Sequence, residues 1–246
     1  MQIHLLTGDS LAEKFFKLDV SCEIIVSREC LIEGSLEGAT LAEFWQTRAR
    51  FIESAYGADE NSFNQNVKTE YQKLLALGPQ DEANLWFEYD LFCQVNMWFA
   101  LYLLSQSKIK DVYRVAPTMR TQNDLWKGFG NLDEQQLREC LAHKIKFQKD
   151  DITLGKNLWQ AYKNDNLIEL KRLSEVESNC FPYLKEVCKA QIERKQERRP
   201  ENSLKEIAAN GVTDFHELFA RFSEKEGIYG FGDSQVKRIL NSAAFS

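Results

Sequence analysis

The sequence holds no C-x-x-C pair, and none of its six cysteines (Cys22, Cys30, Cys93, Cys140, Cys180 and Cys188) has a histidine neighbour at zinc-ligand spacing. In a chain of 246 residues they read as free buried thiols of a reducing compartment, not as a disulfide frame, which places the protein in the cytoplasm. No apolar run reaches the roughly 18 to 20 residues of a membrane span; the longest, from Leu91, is broken by Gln94 and Asn96. The opening MQIHLLTGDS lacks a basic region and a small-residue cleavage site, so it is expected to be a strand and not a secretory signal. Positive charge is not in excess. A formal net charge of −6 gives no general attraction to nucleic acid or to an anionic membrane. There is no internal repeat or low-complexity tract, and neither a G-x-G-x-x-G fingerprint nor a Walker lysine.

What is present is an ordinary globular composition, 43% hydrophobic and 28% charged, with five tryptophans and sixteen phenylalanines to fill a core. The chain is organised around Asn84 to Leu104, NLWFEYDLFCQVNMWFALYLL. The short apolar run Leu85-Trp86-Phe87 breaks at Glu88-Tyr89-Asp90 and leads into a segment that is apolar nearly all round. Such a run reads as a buried strand feeding a buried crossover helix. Glu88, Asp90, Gln94 and Asn96 then lie where open α/β sheets build sites, at the carboxyl ends of strands.

Around that stretch the pattern predicts strands at Ile3 to Leu6, Glu23 to Ser27 and Asp111 to Val115. Helices are expected from Leu11 to about Leu18, after Thr40, and over roughly 66–77, where Gly78-Pro79 stops the last of them. Three S/T-x-x-E capping boxes are expected to open helices: Ser10 with Glu13, Thr40 with Glu43, and Ser203 with Glu206. Gly57 to Gln65 reads as a polar loop. From Asp133 onward only helical patterns occur. The expected fold is therefore α/β: a short, mostly parallel Rossmann-like sheet flanked by helices over 1–120, followed by an all-helical region over 121–246. The boundary falls near Met119 to Asn131, where Gly128 and Gly130 mark a turn. The stretch 203–246 has the outline of a helix-turn-helix, but its near-neutral charge argues against DNA.

Several residues are candidates for chemistry. Gly8-Asp9-Ser10-Leu11 resembles the nucleophile segment of the GDSL-type serine hydrolases, but the helper segments that family needs are missing: Asn123-Asp124 lacks the preceding Gly, and Asp214-Phe-His216 has the wrong spacing. The capping box accounts for Ser10 without chemistry. The same turn offers free amides to a sugar hydroxyl, an amine, or a phosphate bridged by Mg²⁺, because Asp9 would repel a bare phosphate. In a parallel sheet Asp9, the pair Arg28-Glu29, and Glu88 to Asp90 leave one edge, and Arg48 on the following helix can overhang it. A crevice of mixed charge holding Asp9, Ser10, Arg28, Glu29, Arg48, Glu88, Asp90 and Gln94 is the expected ligand site. Asp90 precedes a helix and also suits a plain N-cap. His4, His143 and His216 form no metal site.

The residues His4 with Gly8-Asp9-Ser10, Arg28-Glu29 with Gly34, Phe44 to Arg48, the central WFEYDLFCQVN and the late Tyr229-Gly-Phe-Gly-Asp233 span nearly the whole chain. In these the sequence resembles the bacterial family carrying domain of unknown function 1835, although the family's Gly-Pro after the second strand's loop is Gly34-Ser35 here. The resemblance implies no particular reaction, cofactor or catalytic residue. The expectation is an enzyme or binding protein for a small polar, nucleotide-like molecule at the strand-end crevice. The alternative is a regulatory or scaffold protein whose C-terminal helices bind a protein partner or DNA.

Overall fold

The computed structural model describes residues 1–15, 22–118 and 124–242. Strands β1 (Gln2–Thr7), β2 (Glu23–Ser27), β3 (Glu82–Trp86) and β4 (Asp111–Val115) are parallel, in the spatial order β2-β1-β3-β4. Thr7 lies beside Ser27, and Leu6 beside Trp86, which in turn lies beside Val115, so all four strands end along one edge. Their residues are apolar on both faces, as a sheet covered on both sides requires.

One face is covered by α1 (Gly8–Phe15) and α6 (Glu134–Ala142) around Leu6, Phe15, Trp86 and Phe129. The other carries α2 (Leu41–Tyr56), α3 (Glu60–Phe63), a π turn (Asn64–Lys68), α4 (Thr69–Leu75) and the central α5 (Leu91–Leu104). On α5 only Phe92 and Tyr102 keep partial exposure, so the sheet alone cannot cover it. The remainder of its surface is sheathed by α7 (Lys149–Lys163) and α9 (Leu184–Gln196), with α8 (Leu167–Leu173) between them. Beyond them lie α10 (Arg199–Ala209), α11 (Phe215–Glu226), a 3-10 turn (Gly227–Tyr229) and α12 (Asp233–Leu240). One hydrophobic cluster runs without a break from Ile3 to Val236. Among the described residues no helix is long and apolar enough to cross a membrane, and all six cysteines are free.

Four local expectations are corrected. A fifth strand, β5 (Ile145–Lys146), pairs antiparallel with the edge of β4; two residues are too few to leave a periodic signal. It takes the last residues of the helix expected over 133–146, which ends at Ala142. Gly8, at φ 77, turns the chain directly out of β1, so α1 starts there, Ser10 lies within its first turn, and the box with Glu13 is not formed. The end of this helix falls outside the described residues. Ser203 likewise lies inside α10, which Pro200 opens in its first turn, and its hydroxyl donates to the Glu226 carboxylate. Asp59 caps α3, so helical structure begins inside the stretch that reads as a polar loop. The box of Thr40 with Glu43 forms as expected.

Helices α5 and α7 cross closely because Gly155 has no side chain: a Cβ there would run into Leu101. Gly155→Leu should destabilise the chain by about 3 kcal/mol, the upper end for overpacking a filled core. Urea unfolding checks this, and a wild-type midpoint would contradict it.

Candidate functional site

The strand-end residues leave one edge but gather in separate groups. At the ends of β1 and β2, Arg28 reaches back to Asp9, N to O 2.8 Å, in a pair that is well exposed. Ser10 is exposed on α1, and no histidine among the described residues bonds to it.

Glu29 turns inward. Its Oε1 accepts from Arg48 Nη2 at 2.6 Å and Nε at 3.1 Å, with both side chains wholly buried. Arg48 also donates to the carbonyls of Cys30, Glu33 and Ser35, so its fork fastens the 29–35 loop and does not overhang the edge. Trp45 beside it is core, in ring contact with Phe44, Tyr71 and Phe99.

A third group sits at the end of β3. Asp90 caps α5, its Oδ1 accepting from the Cys93 amide at 2.9 Å. Glu88 Oε1 accepts from the Phe129 amide at 2.7 Å, and its backbone carbonyl accepts from Gln94 Nε2 at 2.6 Å. The Cys93 thiol faces both Glu88 Oε2, 3.8 Å away, and the Thr7 hydroxyl, 3.4 Å away, which ties the ends of β1 and β3 together. Two glycines close over the acids. Gly128 (φ 61) and Gly230 (φ 64) adopt the left-handed backbone, and a Cβ on either would overlap the carboxylate of Glu88 or of Asp90.

Burial without a cation shapes the electrostatics here. Asp90, 3% exposed, has its carboxyl pushed up to about 7 by desolvation and then by the Glu88 charge. Glu88 is raised by desolvation, and the Cys93 thiol is raised far by burial, so it is held protonated. The two acids thus share a proton near neutral pH. Glu88, Asp90 and Cys93 bring ligand atoms within 4.8 Å of one another and could hold a cation. Two oxygens and a sulfur suit a borderline ion such as zinc better than Mg²⁺, which demands an octahedron of oxygens.

Tyr89, the residue between these acids, points the other way. It lines a cavity of about 910 Å³ that opens at the ends of β3 and β4 and is walled by the 174–186 segment. Arg114 of β4 forms part of the floor and is 2% exposed. Its guanidinium lies over the Tyr89 ring, 5.1 Å from the centroid, and Nη1 donates to the Cys180 carbonyl. Nε and Nη2 have no hydrogen-bond partner among the described residues. Burial lowers Arg114 to about 10, which leaves it charged at neutral pH. The apolar walls are Val176, Phe181, Pro182 and Leu184, and Glu175, Glu177, Lys185 and Glu186 also line the cavity, exposed to solvent.

Sequence reasoning named Asp111 to Val115 only as a strand and so passed over Arg114. The signal was there: Val112 and Arg114 share a face, and an arginine on the inner face of a buried strand is out of place. The walls come from a loop more than fifty residues away, which no local pattern ties to β4. No family model matches the chain, and neither a curated protein nor a solved structure matches it.

Two outcomes are expected. Arg48→Met leaves the Glu29 carboxylate buried and unpaired, and should cost about 3 to 5 kcal/mol in chemical denaturation; a loss below 1 kcal/mol would contradict the fastening role. The second concerns pH. The unfolded chain loses the Asp90 proton near pH 4, whereas the folded chain keeps it to about 7, so native stability from this group falls as pH rises between these values. His4 is buried, with a pKa lowered to about 4, and slopes the other way below 6.5, so the variant must be compared with wild type at each pH. Asp90→Asn keeps a capping oxygen and should match wild type near pH 4 yet exceed it by roughly 2 to 4 kcal/mol at pH 8, at about 1.4 kcal/mol per pKa unit. A difference that does not change with pH would refute the shifted carboxyl.

Proposed function

We propose that this chain binds a small polar ligand in the cavity at the carboxyl ends of β3 and β4. The observation that carries the reading is the cavity itself. At about 910 Å³ it is large enough for a metabolite, and it lies outside strand ends where open parallel sheets place their ligands. It combines apolar walls with a few polar groups, the usual makeup of a small-molecule site.

The 88–90 turn joins this cavity to the acid pair. Tyr89 faces the cavity, while Glu88 and Asp90 face the glycine turns behind it. A ligand that moves Tyr89 therefore moves two carboxyls that share one proton, which gives the site a proton donor or acceptor poised near neutral pH. Asp9 and Arg28 stand at the β1–β2 end of the same edge and are second-rank contacts in this reading; Glu29 and Arg48 support the edge from beneath. A cytoplasmic setting suits the six free thiols. The likeness to the family carrying domain of unknown function 1835 belongs to the same proposal. Two of the segments that carry it meet at the acid pair: WFEYDLFCQVN forms strand, turn and helix, and Gly230 closes over Asp90.

A thermal-shift screen of nucleotides, sugar phosphates, amino acids and polyamines tests the reading. A ligand at about 100 times its Kd adds roughly 2.7 kcal/mol to the native state. For a chain of this size that raises the Tm by about 5 to 10 °C. Val176→Trp, placed on an exposed wall residue, should abolish the shift without unfolding the chain. A ligand that binds this variant as tightly as wild type would place the site elsewhere.

A further inference from the structure

Two arginines are buried in this fold, and they are treated in opposite ways. Arg48 spends its donors on one carboxylate and three backbone carbonyls. Arg114 is as deeply buried, yet it has one carbonyl and the face of a tyrosine, and two of its nitrogens lack partners among the described residues. No carboxylate pairs with it there. A buried cation without a counter-ion costs several kcal/mol, and a planar fork with Nε and Nη2 free is the geometry that receives an oxyanion on two parallel N–H groups. Arg114 also lies on the floor of the largest cavity found among the described residues.

The other charges around the cavity narrow the class of oxyanion. Glu175, Glu177 and Glu186 line it against a single lysine, Lys185, which is paired with Glu175 at 2.7 Å. A multiply charged phosphate ester would be repelled there, whereas a molecule with one carboxylate and an ammonium group matches a cationic floor and an acidic rim. We propose that the Arg114 guanidinium seats the carboxylate of a small amphoteric ligand, an amino acid or a close derivative, whose ammonium group faces the Glu177–Glu186 rim. This deepens the ligand-binding reading above and rests on it.

The experiment compares wild type, Arg114→Met, Arg114→Lys and Val176→Trp by thermal shift and isothermal calorimetry. The probes are the free amino acids, their carboxamides, simple carboxylates without an amine, simple amines and inorganic phosphate. The expected result is a rise in wild-type Tm of about 5 °C or more with at least one amino acid at saturation. That rise should be absent with its carboxamide and in Arg114→Met. Arg114→Lys keeps the charge but loses the fork, and should bind at least tenfold more weakly. Without ligand, Arg114→Met should be as stable as wild type or more so, because an unpaired buried charge is removed; marked destabilisation would make Arg114 a structural residue and overturn the proposal. Equal binding of the amino acid to Arg114→Met, a response to phosphate or amines alone, or no response to any amino acid would overturn it too. If a nucleotide or sugar phosphate binds, loses binding in Val176→Trp and ignores Arg114→Met, the cavity reading stands and the amphoteric ligand falls. If Val176→Trp changes the binding of nothing that binds, both fall.

Discussion

A helix that is apolar on every side has to be covered on every side, and α5 imposes that requirement on the whole chain. The sheet takes one flank of it and α2 and α4 take others, which leaves a surface that only the second half of the sequence can reach. Helices α7 and α9 close it, at a crossing tight enough to need Gly155. Once they are in place, the segment joining α8 to α9 passes beside the ends of β3 and β4 and becomes the wall of the cavity. The cavity is thus a by-product of sheathing α5: the α/β part supplies its floor and the helical part its rim.

The same closure decides the state of the charges. The turn that links β3 to α5 carries Glu88 and Asp90 into a region sealed by the Gly128 and Gly230 turns, where the acids sit without a cation and retain a proton. One residue away, Tyr89 faces the cavity and lies against Arg114, which retains its positive charge with little to compensate it. Uncompensated charge of each sign therefore flanks a single three-residue turn. The acids relieve their strain by taking a proton, whereas an arginine cannot give one up and is left to an incoming anion.

Much of the fold was legible in the sequence because the signals were local. The apolar run ending in Glu88-Tyr89-Asp90 and the all-round apolar helix after it gave β3 and α5, and the spacing of the strands gave a parallel sheet. The strand-end acids were legible as well, as residue types at a turn. What each acid does was not. Glu29 and Arg28 are neighbours in sequence, yet one is sealed beneath a loop by Arg48 and the other pairs with Asp9 in solvent, a difference set by which way each side chain leaves the chain. β5 escaped because two residues have no period, and Ser10 was misplaced because a left-handed glycine started its helix early. Arg114 was passed over because its oddity lies in missing acceptors, and an absent partner becomes visible only when everything around the side chain has been placed.

The most direct measurement is ¹⁵N NMR of the Arg114 Nε–H during titration with the amino acid that gives the largest thermal shift. The account predicts one slowly exchanging Nε–H resonance, assigned by its loss in Arg114→Lys, that moves strongly downfield as a carboxylate oxygen accepts from it. The carboxamide of the same amino acid should leave it in place. A resonance that stays fixed through saturation, while the thermal shift is complete, would mean that the ligand binds away from Arg114 and would contradict the account.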